Sequence, residues 1–121
     1  MTLQPFHLTY QQIFNRGAYY TPLPYVEKVW EFIEPYLKED SVILDSACGM
    51  GNFFYDKQNL KNRIIGNDID KEAIEIVNKL FPFVETYNKN ALKNVNRSQY
   101  QIKNNDHLIT IGNPPYNDTT S

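Results

Sequence analysis

Short apolar runs that end in polar loops constrain the fold of this chain more than any other feature. Four such runs are rich in strand-forming residues: residues 41–44, 63–68, 83–87 and 106–111. Segments with apolar side chains at helical spacing precede the first run and follow the second. Short strands that alternate with amphipathic helices predict a parallel sheet in an α/β fold. Ligands of such sheets bind beyond the carboxyl ends of the strands.

Two amphipathic helices are predicted, each with a residue suited to cap it. Thr21 is predicted to cap the first helix with Pro22 at its first position, and Pro35 to kink or shorten it before an end near Glu39. The buried face of this helix would consist of Val26, Val29, Trp30, Ile33 and Leu37. Asp70 is predicted to cap the second helix. The apolar face of the second helix would consist of Ile74, Val77 and Leu80. Residues 88–105 are polar and rich in asparagine, which predicts a loop with one helical turn.

Composition limits the chain to one domain or less of a soluble protein. It has 121 residues, of which 41% are hydrophobic and 21% charged, with a net charge of -2. A self-sufficient DNA-binding protein would usually carry a basic stripe, and this charge balance argues against one. The single cysteine, Cys48, excludes an internal disulfide, and His7 and His107 are isolated, so no metal-ligand spacing exists. The first twelve residues lack the pattern of a secretory signal, and no apolar run approaches the roughly 20 residues that cross a bilayer. A cytoplasmic location is therefore expected.

The segment after Asp45 has the composition of a ligand-binding loop. Its glycines, Gly49 and Gly51, allow the backbone to approach a ligand without a Cβ atom in the way. Free N–H groups at the start of the following helical segment would add positive potential. The alternative interpretation is a tight turn that binds no ligand.

These segments together resemble the first half of an S-adenosylmethionine-dependent DNA adenine-N6 methyltransferase of the kind found in bacterial restriction–modification systems. The resemblance runs from Gly17 to Tyr116. It implies a Rossmann-like fold, incomplete, with about the first four strands of the sheet. Residues 1–40 would form an N-terminal helical segment and residues 41–121 the cofactor-binding strands and the catalytic loop. From the resemblance we expect this sequence to lack the target-recognition domain of the family.

The resemblance also implies which residues bind S-adenosylmethionine. Asp45 would accept a hydrogen bond from the ammonium of the cofactor, Phe53 would pack on it, and Asp68, at the end of the second strand, would accept its ribose hydroxyls. The predicted cofactor-binding residues are Tyr20, Thr21, Pro22, Asp45, Ala47, Cys48, Gly49, Gly51, Phe53, Asp68, Ile69 and Asn90. The departures from the family pattern are Ser46, Met50 and Asn90, where proline, serine or threonine, and an acid are common.

The tetrapeptide Asn113-Pro114-Pro115-Tyr116 is the predicted catalytic loop. The N6 amine of adenine is a poor nucleophile because its lone pair is delocalised into the ring. The side-chain oxygen of Asn113 and the carbonyl of Pro114 would accept its two hydrogens and favour a pyramidal nitrogen. Pro115 biases Pro114 toward an extended conformation, and Tyr116 would stack on a base flipped out of the duplex. A plain turn, or a proline-rich ligand of another protein, is the alternative interpretation.

Several functions remain open at this point. The first is methylation of adenine in DNA, as a fragment or subunit of a restriction–modification methylase, with RNA or protein glutamine as other substrates of the same chemistry. The second is a cofactor-binding module, or a truncated remnant, without activity alone. The fourth strand is expected at an open sheet edge with an apolar face exposed. This arrangement predicts self-association or a second chain that completes the sheet.

Overall fold

The described part of the chain is built around one parallel sheet. The computed structural model describes residues 22–93 and 96–112. The strands are β1 (Val42–Asp45), β2 (Arg63–Asn67), β3 (Glu85–Tyr87) and β4 (Leu108–Thr110). Neighbouring strands are parallel, in the order β3-β2-β1-β4. The predicted Rossmann-like α/β sheet with its first four strands is confirmed.

The strand order creates a topological switch point between β1 and β4. β2 and β3 are added on one side of β1, whereas β4 lies on its other side. Asp45 is in register with Gly66 of β2, and Leu44 with Thr110 of β4. Open α/β sheets bind their ligands beyond the carboxyl ends of the strands at such a point. The end of β1 is therefore the position at which the fold favours a ligand.

Within residues 22–93 and 96–112, two α-helices, α1 (Leu23–Ile33) and α2 (Lys71–Leu80), accompany the sheet. Asp70 caps α2 as predicted, because its Oδ1 atom accepts hydrogen bonds from the N–H groups of Glu72 at 3.0 Å and Ala73 at 3.4 Å. α1 begins one residue later than predicted. Pro22 occupies the capping position in an extended conformation, and Thr21 lies outside the described residues.

The end of α1 corrects one prediction. The helix ends at Ile33 and continues only as a short 3-10 turn, Glu34–Tyr36, rather than running to Glu39. Pro35 explains the early end, because proline has no N–H to donate and its ring obstructs the preceding turn of an α-helix. The predicted shortening is confirmed, and the predicted end near Glu39 is wrong.

Apolar side chains pack on both faces of the sheet. On the helical face, the buried residues include Val26, Trp30, Ile43, Ile64, Ile74, Val77 and Ile109. The indole Nε1 of Trp30 donates a hydrogen bond to the carbonyl of Phe53 at 2.8 Å, which anchors α1 to the loop after β1. On the opposite face, the buried residues are Val42, Leu44, Ile65, Tyr100 and Ile102. The 3-10 turn Arg97–Tyr100 supplies this cover and is the helical turn expected in the loop.

The environment of β4 corrects a second prediction. β4 lies at the edge of the described sheet as expected. Ile109 and Ile111 are buried, however, Leu108 is half-buried, and the exposed side chain of the strand is that of Thr110. Strand alternation turns both isoleucines toward the helical face, where they join its apolar core. The expected exposed apolar face is therefore wrong, and self-association stays a prediction that now rests on the edge position alone.

His107 makes a contact that its isolated position in the sequence does not reveal. Its Nδ1 atom lies 2.6 Å from the hydroxyl oxygen of Ser41, at the amino end of the sheet. The same oxygen accepts a hydrogen bond from the N–H of Lys38 at 2.8 Å. The hydroxyl hydrogen is therefore free to be donated to Nδ1, which accepts it in the tautomer protonated on Nε2. This pair ties the start of β1 to the start of β4.

Candidate cofactor site

The carboxyl ends of β1 and β2 bring two of the predicted acids to the same edge of the sheet. Asp45 is the last residue of β1, and Asp68 follows the last residue of β2. The Oδ2 atom of Asp68 accepts a hydrogen bond from the N–H of Gly49 at 2.8 Å, and its Oδ1 atom accepts one from Asp70 at 2.9 Å. These bonds hold the glycine loop against the end of β2. Each carboxylate oxygen has a second lone pair, which suits Asp68 to accept from a pair of ribose hydroxyls.

Asp45 is the buried acid of this site, with a side chain only 2% exposed. Its Oδ1 atom accepts a hydrogen bond from the N–H of Ala47 at 3.2 Å. Burial raises the pKa of Asp45 to about 7, the Ala47 hydrogen bond opposes this rise, and the charge of Asp68 adds to it. Near neutral pH the carboxyl therefore titrates, and a cation placed beside it would favour its ionised form. An ammonium group is a cation of the required kind.

The two glycines of the loop, Gly49 and Gly51, are favoured at their positions for different structural reasons. Gly49 and Gly51 both have positive φ, +55° and +87°, which favours glycine at each position. A Cβ atom on Gly51 would also lie 2.9 Å from the Phe81 ring and 3.1 Å from the Phe54 ring. Gly51 is thus required by core packing, whereas Gly49 directs its N–H toward Asp68. The predicted contact of both glycines with the cofactor stays a prediction.

Two of the predicted cofactor residues have side chains in the core. Cys48 and Phe53 are both buried in the apolar cluster on the helical face of the sheet. Burial raises the pKa of the Cys48 thiol well above its usual value, as do the charges of Asp45 and Asp68, so this thiol is a poor nucleophile. The N–H of Cys48 donates to the carbonyl of Asn67 at 2.8 Å. In the described structure the side chains of these two residues anchor the loop to the apolar core on the helical face of the sheet. Their predicted contacts with the cofactor stay predictions.

The edge beyond Asp68 carries exposed apolar and amide groups. Ile69 is 68% exposed, and Leu92, in the loop after β3, is 77% exposed. The side chain of Asn88 donates to the carbonyls of Asp68 and Ile69 at 2.9 and 3.0 Å, which joins that loop to the end of β2. The Oδ1 atom of Asn90 accepts from the N–H of Leu92 at 3.1 Å and stabilises a local turn. The cofactor contacts predicted for Ile69 and Asn90 stay predictions, and sequence reasoning did not identify the structural contact of Asn88 with the end of β2.

Asn67 is the most important residue that sequence reasoning missed. It is fully buried at the end of β2. Its amide nitrogen donates to the carbonyls of Ser46 and Lys89, each at 3.0 Å, and its amide oxygen accepts from the N–H of Lys89 at 2.9 Å. One side chain at the end of β2 thus holds the segments that follow its two neighbouring strands, β1 and β3. An asparagine within an apolar run, directly before Asp68, is the sequence signal that could have indicated this role.

Other predicted site residues contribute less to the described geometry. Pro22 is exposed at the start of α1, while Tyr20 and Thr21 lie outside the described residues. The tetrapeptide predicted to be catalytic, residues 113–116, also lies outside them and follows Gly112 directly in the sequence. Within residues 22–93 and 96–112, no group of three histidine, cysteine or acidic side chains could hold a metal ion. Over the same residues, no helix is long and apolar enough to cross a membrane.

The chemical groups at the carboxyl ends of β1 and β2 match those of S-adenosylmethionine one by one. The cofactor has a cationic ammonium, and Asp45 is a buried acid whose ionised form a cation would favour. It has a ribose with two hydroxyls, and Asp68 keeps acceptor capacity at the end of β2. It has an adenine ring, and the exposed apolar side chain of Ile69 follows Asp68 directly. The described residues therefore fit this cofactor.

The comparison with protein families decides the identity. The profile of the N-6 DNA methylase family matches residues 7–121. The chain belongs to the N-6 DNA methylase family. The resemblance seen in the sequence is thereby confirmed, and membership of the N-6 DNA methylase family makes S-adenosylmethionine the cofactor of this chain.

A solved structure supports the fold independently. The chain is similar to the crystal structure of a TehB-like SAM-dependent methyltransferase from Corynebacterium glutamicum, with 17% sequence identity and a TM-score of 0.52. The match covers 85% of this chain and 50% of that chain. The N-6 DNA methylase chain therefore spans about half the length of this solved structure. No curated protein matches the chain significantly.

Proposed function

We propose that this chain forms the cofactor-binding and catalytic part of a methyltransferase that methylates the N6 amine of adenine in DNA. The observation that carries the proposal is the position of β4. The end of β4 lies beside the end of β1, and Ile111 donates a backbone hydrogen bond to Leu44 at 2.9 Å. The predicted catalytic tetrapeptide therefore begins, at Asn113, three residues after Thr110, the last residue of β4, which pairs with the strand that ends at the acid Asp45.

The described residues have defined roles in this proposal. Asp45 binds the ammonium of the cofactor and Asp68 its ribose, while Gly49 holds Asp68 in place through its N–H. Ile69 covers one face of the cofactor adenine. When bound, S-adenosylmethionine supplies an electrophilic methyl group. The fixed loop aligns that methyl with the amine, and alignment of this kind contributes up to about 7–11 kcal/mol of rate acceleration.

The tetrapeptide would act on the amine itself. The side-chain oxygen of Asn113 and the carbonyl of Pro114 accept the two N6 hydrogens and localise the nitrogen lone pair for attack on the methyl group. Bound S-adenosylmethionine would supply the methyl group and would keep the electron pair of the broken S–C bond, and the methylated N6 amine would release one proton to solvent. Tyr116 stacks on the flipped base, an interaction of about 1–3 kcal/mol per base.

The test is a methyl-transfer assay with radiolabelled S-adenosylmethionine. The substrates are duplex DNA of mixed sequence, the same DNA with N6-methyladenine in place of adenine, single-stranded RNA, and a glutamine-containing peptide. The proposal predicts label on adenine of the unmodified DNA alone, and none with an Asn113→Ala variant that still binds the cofactor. Label on RNA adenine or on glutamine, with none on DNA, would contradict the choice of substrate.

A specific observation favours a second candidate function, a cofactor-binding module without activity alone. The chain spans half the length of the similar methyltransferase structure. A second polypeptide would then supply DNA recognition and pair with the edge strand β4, in the cytoplasm and within a restriction–modification system. This candidate predicts saturable cofactor binding without methyl transfer, and recovery of transfer when the second polypeptide is added. Sedimentation of the purified chain as a monomer would contradict self-association through β4.

A further inference from the structure

Gly112, the residue before the catalytic tetrapeptide, lies against the carboxyl group of Asp45. An ideal Cβ atom on Gly112 would lie 2.7 Å from Cγ and 2.9 Å from Oδ2 of Asp45, and closer still to its Oδ1 atom. All three heavy atoms of the carboxyl group thus occupy the space in which a side chain would begin. The φ angle of Gly112 is +112°, a conformation that L-residues rarely adopt. Two independent features therefore require glycine here.

The Asp45 carboxyl has little freedom to move away from such a Cβ. It is attached to the last residue of β1, is 2% exposed, and is held by the N–H of Ala47 at 3.2 Å. The side chain is short, so an avoiding movement would require a different rotamer or a shift of β1 itself. Close packing against Gly112 is consequently one of the steric restrictions that determine where the Asp45 carboxyl group lies.

We propose that Gly112 is a positioning residue that fixes the Asp45 carboxyl and joins it to the start of the catalytic loop. Because Gly112 has no side chain, the backbone after β4 packs directly against the Asp45 carboxyl. This carboxyl is the group proposed to bind the cofactor ammonium, and the backbone at Gly112 leads into Asn113. A movement of the Gly112 backbone therefore displaces the Asp45 carboxyl, and a movement of the carboxyl displaces the backbone. The link to cofactor binding rests on the proposed function, whereas the contact itself is a property of the free protein.

The first experiment is a double-mutant cycle on the free protein. Denaturant midpoints are compared for the wild type, Gly112→Ala, Asp45→Ala and the double variant, with Thr110→Ala as an exposed control on the same strand. Gly112→Ala should lower the midpoint more when Asp45 is intact than in the Asp45→Ala background, because only the backbone strain remains in the latter. In an Asp45→Asn background, where the amide fills the same space, the loss should be as large as with Asp45.

The outcome is decisive even where one variant does not fold. If Gly112→Ala is unfolded and the double variant with Asp45→Ala is folded, the steric contact is supported. Equal midpoint losses in the Asp45 and Asp45→Ala backgrounds, or an unfolded double variant, would overturn it, because strain at Gly112 alone would then account for the effect.

The second experiment tests whether the surroundings of the Asp45 carboxyl change when Gly112 is replaced. The pH titration of the Asp45 carboxyl carbon, followed by nuclear magnetic resonance, should move in Gly112→Ala and remain unchanged in Thr110→Ala. Gly112→Ala should also weaken S-adenosylmethionine binding about tenfold, as expected for a displaced charged acceptor, with no further loss in the Asp45→Ala background. If the wild type binds no cofactor, the proposed function fails, and the titration still tests the contact. An unchanged titration in folded Gly112→Ala would overturn the proposal.

Discussion

Asp45 should make the stability of this chain fall as the pH rises from about 4 to about 7. Its pKa is raised from the ordinary value of 3.8 to about 7 in the folded protein. Between these values the folded state keeps the proton on Asp45 and the unfolded state releases it, so the unfolded state binds fewer protons and stability decreases with pH. The difference of about 3 pKa units corresponds to about 4 kcal/mol, which is present below pH 4 and lost once the pH exceeds 7.

The Asp45→Asn variant isolates this effect from all other titrating groups. The amide oxygen still accepts from the Ala47 N–H, and the side chain has no charge to bury. The free energy of unfolding is measured by urea denaturation of both proteins from pH 4 to pH 8. The two should have similar stability at pH 4, and the variant should be more stable at pH 8 by several kcal/mol, with an upper value of about 4. A difference that is constant over this pH range would refute the assignment of Asp45 as a buried acid with a raised pKa.

Further substitutions test contacts at the carboxyl end of the sheet, around the site, and at its amino end. Asp68→Ala should lower the free energy of unfolding by about 2 kcal/mol, because the N–H of Gly49 loses its acceptor, and a loss below 0.5 kcal/mol on the same scale would contradict this role. Asn67→Ala should destabilise by about 3 kcal/mol in the same assay, since it removes the hydrogen-bond partner of three backbone groups and leaves a cavity at a fully buried position. Ser41→Ala should cost about 1–2 kcal/mol, and a matching loss in His107→Ala without additivity in the double variant would show that the two side chains act as a pair.

The sheet could be predicted from the sequence because its strands are short, apolar and separated by strong turn and capping signals. Asp70 illustrates this: one residue identifies the start of α2, and the structure shows the two hydrogen bonds that the pattern implied. The end of α1 was harder, because the apolar spacing continues to Leu37 although Pro35 has already ended the α-helix. Periodicity alone does not distinguish an α-helix from a 3-10 turn and an extended segment that follow the same apolar face.

The environment of β4 was mispredicted for a different reason. An edge strand has an unpaired backbone, but exposure of its side chains depends on what covers each face of the sheet. Ile109 and Ile111 lie in the apolar core of the helical face. On the opposite face Leu108 packs against a cluster that includes Tyr100 and Ile102, which come from a polar segment that gave no strong structural pattern. Such cover depends on contacts distant in sequence, which a local reading of the chain does not contain.

The acids of the site were predictable and their supporting residues were not. Asp45 and Asp68 stand at strand ends, where the fold places ligand-binding groups. Asn67 and Gly112 act through contacts with chain segments more than twenty residues away, so only the folded chain reveals them. The same limit applies to Phe53, an aromatic residue in the predicted loop whose side chain turns out to be buried in the core.

The central claim is that the residues at the carboxyl ends of β1 and β2 form a cofactor site. Calorimetric titration with S-adenosylmethionine tests it most directly, because every role proposed for these residues depends on that site. The wild-type chain is titrated with the cofactor and with its demethylated product. Asp68→Ala is the test variant, and Glu75→Ala, which removes an exposed acid on α2, is the matched control. The account predicts saturable binding of one cofactor per chain, retained in Glu75→Ala and lost in Asp68→Ala. A folded wild-type protein that binds neither compound, or an Asp68→Ala variant that binds as tightly as the wild type, would contradict it.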